Sequence, residues 1–142
     1  MQLITEKVGF ALLAIFNEMN KIIIGGIILD INELLDRICK AASDKKAKDI
    51  IKMNMKGLIS STDYFVICSA TTSTQVRAIT DNIEEELDKA GIHFDHKEGY
   101  REGEWVLLDY GDAVAHIFRD ENREYYALEE LWSSAEITRY ED

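Results

Sequence analysis

The chain has 142 residues, of which 46% are hydrophobic and 30% charged, a composition that indicates one globular domain and argues against a disordered or fibrous protein. It carries 27 acidic residues against 16 Lys and Arg residues, and this net charge of −11 disfavours binding to nucleic-acid phosphates and favours a basic protein partner. The absence of proline excludes proline-rich linkers and PxxP ligands. The two cysteines, Cys39 and Cys68, lie in apolar segments without CxxC spacing, so we expect buried, reduced thiols in a cytoplasmic protein.

The first 29 residues differ in pattern from the rest of the chain. They contain two apolar runs, residues 8–16 and 22–29, and both are shorter than the ~20 residues that cross a bilayer, so we expect no membrane span. A secretory signal peptide fits poorly, because Glu6 and Lys7 make the segment before the first run neutral and no small-x-small cleavage site follows that run. We interpret residues 1–29 as an N-terminal extension that is either disordered or the product of a start codon assigned too far upstream.

Regular patterning begins at Asp30, which fits the N-cap of a first helix. The apolar side of this helix is Ile31, Leu34, Leu35, Ile38 and Ala42. Residues 49–55 alternate between apolar and polar side chains and predict a half-buried strand, whereas the apolar run of residues 64–70 predicts a central strand covered on both faces. Thr72 or Ser73 then caps the clearest amphipathic helix. Its apolar positions are Val76, Ile79, Ile83, Leu87 and Ala90, and Gly91 follows it.

A hairpin is the strongest signal in the last third of the chain. Residues 92–95 favour a short strand and residues 98–104 a polar loop. Residues 105–110 and 113–118 are then separated by Gly-Asp at 111–112, the pattern of a β-hairpin with a two-residue loop.

The chain ends with a predicted helix and an acidic tail. Asp120 is the expected N-cap of this helix, whose apolar positions are Tyr125, Leu128, Leu131 and Trp132. We therefore place the domain at residues 30–135 and an acidic tail at residues 136–142. The order α, β, β, α, β, β, β, α predicts a single α/β domain with a mixed β-sheet flanked by helices.

The pairing of the hairpin divides its side chains between two faces, because neighbours along a strand point in opposite directions. One face is aliphatic and suited to pack under helices: Val106, Leu108, Tyr110, Ala113, Ala115 and Ile117. The other combines aromatic and polar side chains: Trp105, Leu107, Asp109, Val114, His116 and Phe118. This second face is either covered by another part of the chain or docks a protein, since interfaces favour aromatic residues with a few polar groups.

Several motifs follow one another along this part of the chain. They are DYFVICS at residues 63–69, Glu98-Gly99, WVLLDYGD at residues 105–112, HIF at residues 116–118 and YALEELW at residues 126–132. In identity and order they resemble the ribosomal silencing factor family, also called the Iojap family, and the resemblance runs from about Asp30 to about Trp132. It implies an α/β fold of nucleotidyltransferase-like shape. It also implies binding to large-subunit ribosomal protein fourteen on the intersubunit face, which hinders subunit joining and represses translation when nutrients are short.

The sequence lacks the residues that a working nucleotidyltransferase needs. The turn at residues 69–72 has no glycine, and no Asp-x-Asp pair follows it on a strand to hold metal ions. His93 and His96 would point to opposite faces of a strand, so we expect no metal site and no cofactor. The alternative to a silencing factor is a nucleotidyltransferase-related enzyme that acts on a nucleotide or on RNA.

We predict a protein-docking site on the second face of the hairpin and in the last motif. Its candidate residues are Trp105, Leu107, Asp109, Asp112, His116, Phe118, Tyr126, Leu128 and Trp132. The resemblance alone adds the last three, and Leu128 and Trp132 fit a core equally well on helical spacing. The expected partner is the large ribosomal subunit through ribosomal protein fourteen, without direct nucleic-acid sequence recognition. An exposed apolar sheet face also predicts a homodimer in the free protein.

Overall fold

The computed structural model describes residues 21–24 and 27–142, with side chains described from Asp30 onward. Strands β1 (Lys21–Ile24) and β2 (Ile27–Asp30) pair antiparallel into a separate two-stranded sheet. The second apolar run of the N-terminal segment supplies these strands, whereas the first run, residues 8–16, lies outside the described residues. That residues 1–29 form an extension to the domain stays a prediction. Within the described part of the chain, no helix is long and apolar enough to cross a membrane.

Two capped helices form one layer of the domain. Helix α1 (Ile31–Asp44) begins where predicted, because the Asp30 carboxylate accepts the backbone N–H of Asn32 at 2.8 Å. Helix α2 (Ser73–Lys89) is capped in the same way by the Thr72 hydroxyl, which accepts the N–H of Gln75 at 3.1 Å. Both helices bury their predicted apolar sides and pack against each other and against one face of the sheet.

Six strands form the main sheet. They are β3 (Lys48–Asn54), β4 (Tyr64–Ala70), β5 (His96–Glu98), β6 (Trp105–Asp109), β7 (Ala113–Arg119) and β8 (Glu136–Arg139). Their order is β5–β6–β7–β4–β3–β8, with β4 and β7 parallel and all other neighbours antiparallel. The prediction of a single α/β domain with a mixed sheet flanked by helices is confirmed.

Each face of the sheet carries its own apolar cluster. The first cluster lies under α1 and α2, and it includes the predicted aliphatic face of the hairpin, such as Val106, Leu108 and Ile117. The second cluster lies on the opposite face: Ile51, Met53, Met55, Phe65, Ile67, Val114, Phe118 and Leu128. The predicted half-buried strand is confirmed, because the alternate apolar residues of β3 enter this second cluster.

Both cysteines are buried and free, as expected. Burial raises the pKa of the Cys39 and Cys68 thiols to about 12. They are therefore un-ionised packing residues of the first cluster.

The predicted strand at residues 92–95 is wrong, because Ile92 closes helix α2 instead. Its N–H donates to the Leu87 carbonyl at 2.9 Å, and the N–H of Gly91, at φ 79°, donates to the Asp88 carbonyl at 2.9 Å. This pair of bonds is a Schellman motif, which is often accompanied by an apolar contact from the residue after the glycine, and Ile92 is fully buried. The short strand β5 forms further along the chain and pairs with β6.

The predicted final helix is corrected in two respects. Asp120 is the first residue of helix α3 (Asp120–Tyr126) rather than its N-cap, and its carboxylate pairs with the Lys48 ammonium. The helix then breaks at Ala127, which has a left-handed φ of 44°, and resumes as the single turn α4 (Leu128–Leu131).

The predicted acidic tail also needs correction, because four of its residues form strand β8 at the edge of the sheet. β8 pairs antiparallel with β3, and the N–H of Tyr140 continues the pairing by donating to the Ile50 carbonyl at 2.9 Å. All four side chains of β8 are exposed. Backbone hydrogen bonds and one exposed ion pair, Arg139 with Asp49, hold this strand, so no burial pattern marks it in the sequence.

Candidate protein-docking surface

The second face of the hairpin has the pairing that the two-residue loop predicts. Trp105 lies opposite Phe118, Leu107 opposite His116, and Asp109 opposite Val114. The Trp105 ring stacks on Phe118 with centroids 4.9 Å apart, and helix α3 places Tyr126 against it at 4.7 Å. Strands β6 and β7 and helix α3 therefore meet in one aromatic group.

Burial divides the predicted docking residues into two layers. Phe118, His116 and Leu128 are only 1%, 4% and 9% exposed, so they lie beneath the surface and cannot contact a partner in this conformation. Trp105, Leu107 and Trp132 are half-buried, and Tyr126 is exposed. We call the accessible set Trp105, Leu107, Tyr126 and Trp132 the docking surface. The three buried residues support this surface from beneath, and their predicted part in docking stays a prediction.

The break at Ala127 explains how the end of the chain covers part of this face. The N–H of Ala127 still donates to the Arg123 carbonyl at 2.9 Å, but the left-handed turn redirects the chain so that Leu128 enters the second cluster. Tyr125 and Leu131, predicted as apolar helix positions, are left exposed instead. Tyr125 packs edge-on against Tyr126 with ring centroids 5.1 Å apart. The sequence pattern did not reveal that Tyr125 and Leu131 are exposed, because an unbroken helix would have turned them towards the core.

Arg123 anchors this segment to the sheet. Its guanidinium donates to the Ser69 hydroxyl at 3.2 Å, to the Lys48 carbonyl at 3.4 Å and to the Glu129 carboxylate at 3.0 Å. The side chain is only 14% exposed, and the bonds to Ser69 and Glu129 are partly buried, whereas the bond to the Lys48 carbonyl is exposed. The positions of Tyr126 and Trp132 therefore depend on a residue that lies behind the docking surface.

A buried hydrogen bond fixes the central tryptophan. The Trp105 indole N–H donates to Nδ1 of His116 at 3.0 Å. Burial lowers the pKa of His116 to about 4, so the imidazole is neutral near pH 7 and can accept this bond. Phe65 of β4 packs edge-on against the imidazole with ring centroids 4.5 Å apart.

The two acids of the hairpin tip lie apart from the aromatic group. Asp109 is four residues from Trp105 along an extended strand, a distance of about 13 Å. Its carboxylate accepts the N–H of Gly111 at 2.7 Å and so stabilises the turn. Asp112 is half-exposed, and burial, followed by repulsion from Asp63, raises the pKa of its carboxyl. These acids therefore belong to the rim of the surface and not to its centre.

The turn at residues 69–72 is occupied by structural bonds. The Ser69 hydroxyl accepts from Arg123, the Thr71 hydroxyl accepts from Lys48 at 3.2 Å, and Thr72 caps α2. The depression beside the turn is lined mostly by acids, including Asp49, Asp120 and Glu129, which would repel the phosphates of a nucleotide.

The histidines considered for a metal site are engaged elsewhere. His93 bonds to the Asp88 carboxylate and His96 to the Glu98 carboxylate, each at 2.7 Å. No group of three or more His, Cys, Asp or Glu residues suited to a metal ion occurs in the described residues.

Comparison with known proteins identifies close relatives over most of the chain. The family model described as "Ribosomal silencing factor during starvation" matches residues 29–142. A ribosomal silencing factor from Bacillus subtilis is 42% identical over 97 residues, which cover 68% of this chain and 82% of that protein. Another from Halalkalibacterium halodurans is 39% identical over 109 residues, which cover 77% of this chain and 93% of that protein.

A solved structure shares the fold. The crystal structure of a protein from Chromobacterium violaceum superposes with a TM-score of 0.72 at 33% identity. The superposition covers 74% of this chain and 88% of that one.

Proposed function

The chain belongs to the ribosomal silencing factor family, and we propose that it binds the large ribosomal subunit through ribosomal protein fourteen, blocks joining of the small subunit and so represses translation in the cytoplasm. The observation that carries this proposal is the docking surface, in which three aromatic side chains and Leu107 remain accessible on one sheet face. Large aromatic residues at the centre of an interface contribute most of its binding energy.

The proposed mechanism is steric and needs no reaction. A protein that occupies one side of a subunit interface prevents the partner subunit from approaching. The bonds that occupy the turn at residues 69–72 and the acids beside it disfavour the alternative of nucleotidyl transfer. We therefore propose a binding protein and not an enzyme.

The charge of the chain supports a protein partner within the ribosome. A net charge of −11 repels exposed ribosomal RNA and attracts a basic ribosomal protein. Repulsion from the wrong surface adds specificity to the attraction by the right one. The acids then guide encounter, while the aromatic centre supplies the affinity.

We also propose that the free protein is a homodimer that covers the docking surface. Soluble monomers rarely leave a contiguous apolar patch open to water, and a twofold dimer buries the same patch on both copies. Light scattering at micromolar concentration tests this, and a mass of 16.2 kDa, that of one chain, would contradict it.

Sucrose-gradient sedimentation tests the proposed function directly. The protein should migrate with purified large subunits and reduce the fraction of joined ribosomes when small subunits are added. Trp105→Ala should weaken binding by at least about 30-fold, the effect of removing a central aromatic residue worth 2 kcal/mol or more. Tyr100→Ala is the matched control, because Tyr100 is a partly buried aromatic residue that bonds Asp81 of α2, on the other side of the sheet.

Two outcomes of this experiment would count against the proposal. One is that wild-type protein fails to migrate with large subunits. The other is that Trp105→Ala, shown to be folded by circular dichroism, binds as well as Tyr100→Ala. Turnover of labelled nucleoside triphosphate by the purified protein would favour the enzymatic alternative instead.

A further inference from the structure

The hydrogen bond between Trp105 and His116 defines the state of the imidazole. An indole N–H can only donate, so Nδ1 of His116 must be the unprotonated acceptor. The ring proton of the neutral imidazole therefore lies on Nε2. The described residues provide no hydrogen-bond partner for that buried atom.

This arrangement is poorly explained by packing alone. A buried polar atom without a partner is unfavourable, and an apolar side chain of similar size would avoid that cost. What the imidazole contributes, and an aliphatic residue could not, is a hydrogen-bond acceptor directly beneath the docking surface.

The acceptor is held firmly in place. His116 is 4% exposed and lies on β7, between Ile67 on the parallel strand β4 and Leu107 on the antiparallel strand β6, and the Phe65 ring packs edge-on against its imidazole. Burial lowers its pKa to about 4, so the imidazole that accepts the indole bond is neutral near pH 7.

We propose that His116 is a positioning residue, which fixes the orientation of the Trp105 indole in the docking surface before the ribosome binds. This inference rests on the proposed function, since it takes Trp105 as a contact residue. The Phe118 and Tyr126 rings lie against the indole, but stacking alone tolerates a flip of the indole about its Cβ–Cγ bond. The hydrogen bond selects the orientation in which the N–H points into the protein.

Fixing the indole in advance improves affinity by reducing the entropy lost on binding. Ordering one flexible side chain at an interface costs an amount that corresponds to a roughly two- to tenfold loss of affinity. We expect that loss when the acceptor is removed and the shape is kept.

Nuclear magnetic resonance of the free protein tests the bond without the ribosome. Three proteins are compared: wild type, His116→Leu, which removes the acceptor, and His116→Asn, whose side-chain oxygen can replace Nδ1. The Trp105 indole N–H resonance, distinguished from that of Trp132 by a Trp132→Phe variant, should exchange slowly with water in wild type and His116→Asn. It should exchange faster and change its shift in His116→Leu. An identical indole resonance in all three proteins would overturn the proposal.

A double-mutant cycle with purified large ribosomal subunits tests the functional consequence. His116→Leu should weaken binding two- to tenfold in the wild-type background, and His116→Asn should restore it. In the Trp105→Phe background, which has no indole N–H, His116→Leu should cause no further loss. An equal loss in both backgrounds would show that His116 acts through the fold and would overturn the inference.

The two hypotheses fail in different ways. If Trp105→Ala binds like wild type, the proposed docking surface is wrong and the positioning role falls with it, whatever the indole resonance shows. If Trp105→Ala loses binding while His116→Leu binds like wild type, the docking surface stands and only the positioning role is overturned.

Discussion

The two faces of the main sheet are built from the same strands but differ in composition and cover. The face under α1 and α2 is mainly aliphatic and closed, with Val106, Leu108 and Ile117 fully buried. The opposite face carries an imidazole and half-buried aromatic rings beneath a short broken helix. Because side chains alternate along each strand, a single hairpin supplies a stable core on one side and the proposed docking surface on the other.

The second face is only partly covered because the helices that lie over it are short. Helix α3 has seven residues and α4 has four, so together they cannot shield six strands. A complete third layer would have buried Trp105 and Tyr126. The short segment leaves them accessible, whereas Phe118 and His116 are buried from solvent.

Substitution of two adjacent residues of β6 should give the largest difference in stability between the two sheet faces. Leu108→Ala should destabilise the protein by about 2–5 kcal/mol, because Leu108 is fully buried under the helices and its removal leaves a cavity. Leu107→Ala removes the same atoms from the half-buried second face and should cost well under half as much. Chemical denaturation measures both free energies of unfolding. Equal losses would show that the two faces contribute equally to stability.

Local signals made much of this fold predictable from sequence. Asp30 and Thr72 cap their helices through bonds to residues two and three positions away. The two-residue loop fixes the register of the whole hairpin, so the residues of both faces follow from the sequence alone. Each of these features depends only on neighbouring residues.

The features that escaped prediction depend on distant contacts. β8 is held by backbone bonds to β3 and buries no side chain, and the break at Ala127 is stabilised by Arg123 and by the burial of Leu128. Because nothing local marks that break, the sequence identifies the residues of the second face but not how deeply each side chain is buried. The distinction between Trp105 at the surface and His116 beneath it depends on the tertiary packing.

Acid should weaken the second face through His116. Its pKa is about 4 in the folded protein and 6.5 in the unfolded chain, so below pH 6.5 the unfolded chain binds a proton that the folded protein excludes. The stability that depends on a neutral His116 is fully present above pH 6.5, and roughly 3 kcal/mol of the free energy of unfolding should be lost as the pH falls to about 4.

The matched control for this prediction is His116→Asn, which cannot titrate. Both proteins share every other carboxyl and histidine, so the difference between their denaturation free energies at each pH isolates His116. The wild type should lose more stability than the variant between pH 6.5 and 4. Parallel curves for the two proteins would contradict the neutral, buried imidazole.

Arg123→Met should loosen the cover of the second face and leave the first face intact. The substitution keeps an apolar chain of similar length but removes the bonds to Ser69, Lys48 and Glu129, of which the partly buried bonds to Ser69 and Glu129 contribute most. Hydrogen exchange should therefore become faster in α3, α4 and β8 but not in α1 or α2. Uniformly faster exchange would show that the two faces unfold as one unit.

The smallest expected effect concerns the acidic rim. Asp112 is half-exposed and lies at the hairpin tip, farther from Trp105 than the Debye length of about 8 Å at physiological ionic strength. Asp112→Asn should therefore slow association with isolated ribosomal protein fourteen by only about twofold at low salt, and by less as salt is added.

The matched control here is Glu85→Gln, which removes the same charge from an exposed position of α2, under which the closed face lies. Stopped-flow kinetics should give association rates that fall with added salt for all three proteins. At low salt, the association rate of Asp112→Asn should lie furthest below that of the wild type. Dissociation rates should change little, because separation of the complex exposes the aromatic centre and its energy is insensitive to screening.

If both variants slow association equally, the net charge of −11 guides encounter as a whole, and the hairpin tip has no special part in it. An association rate that does not change with salt would mean that the acids of this chain keep it soluble and do not help it to find its partner.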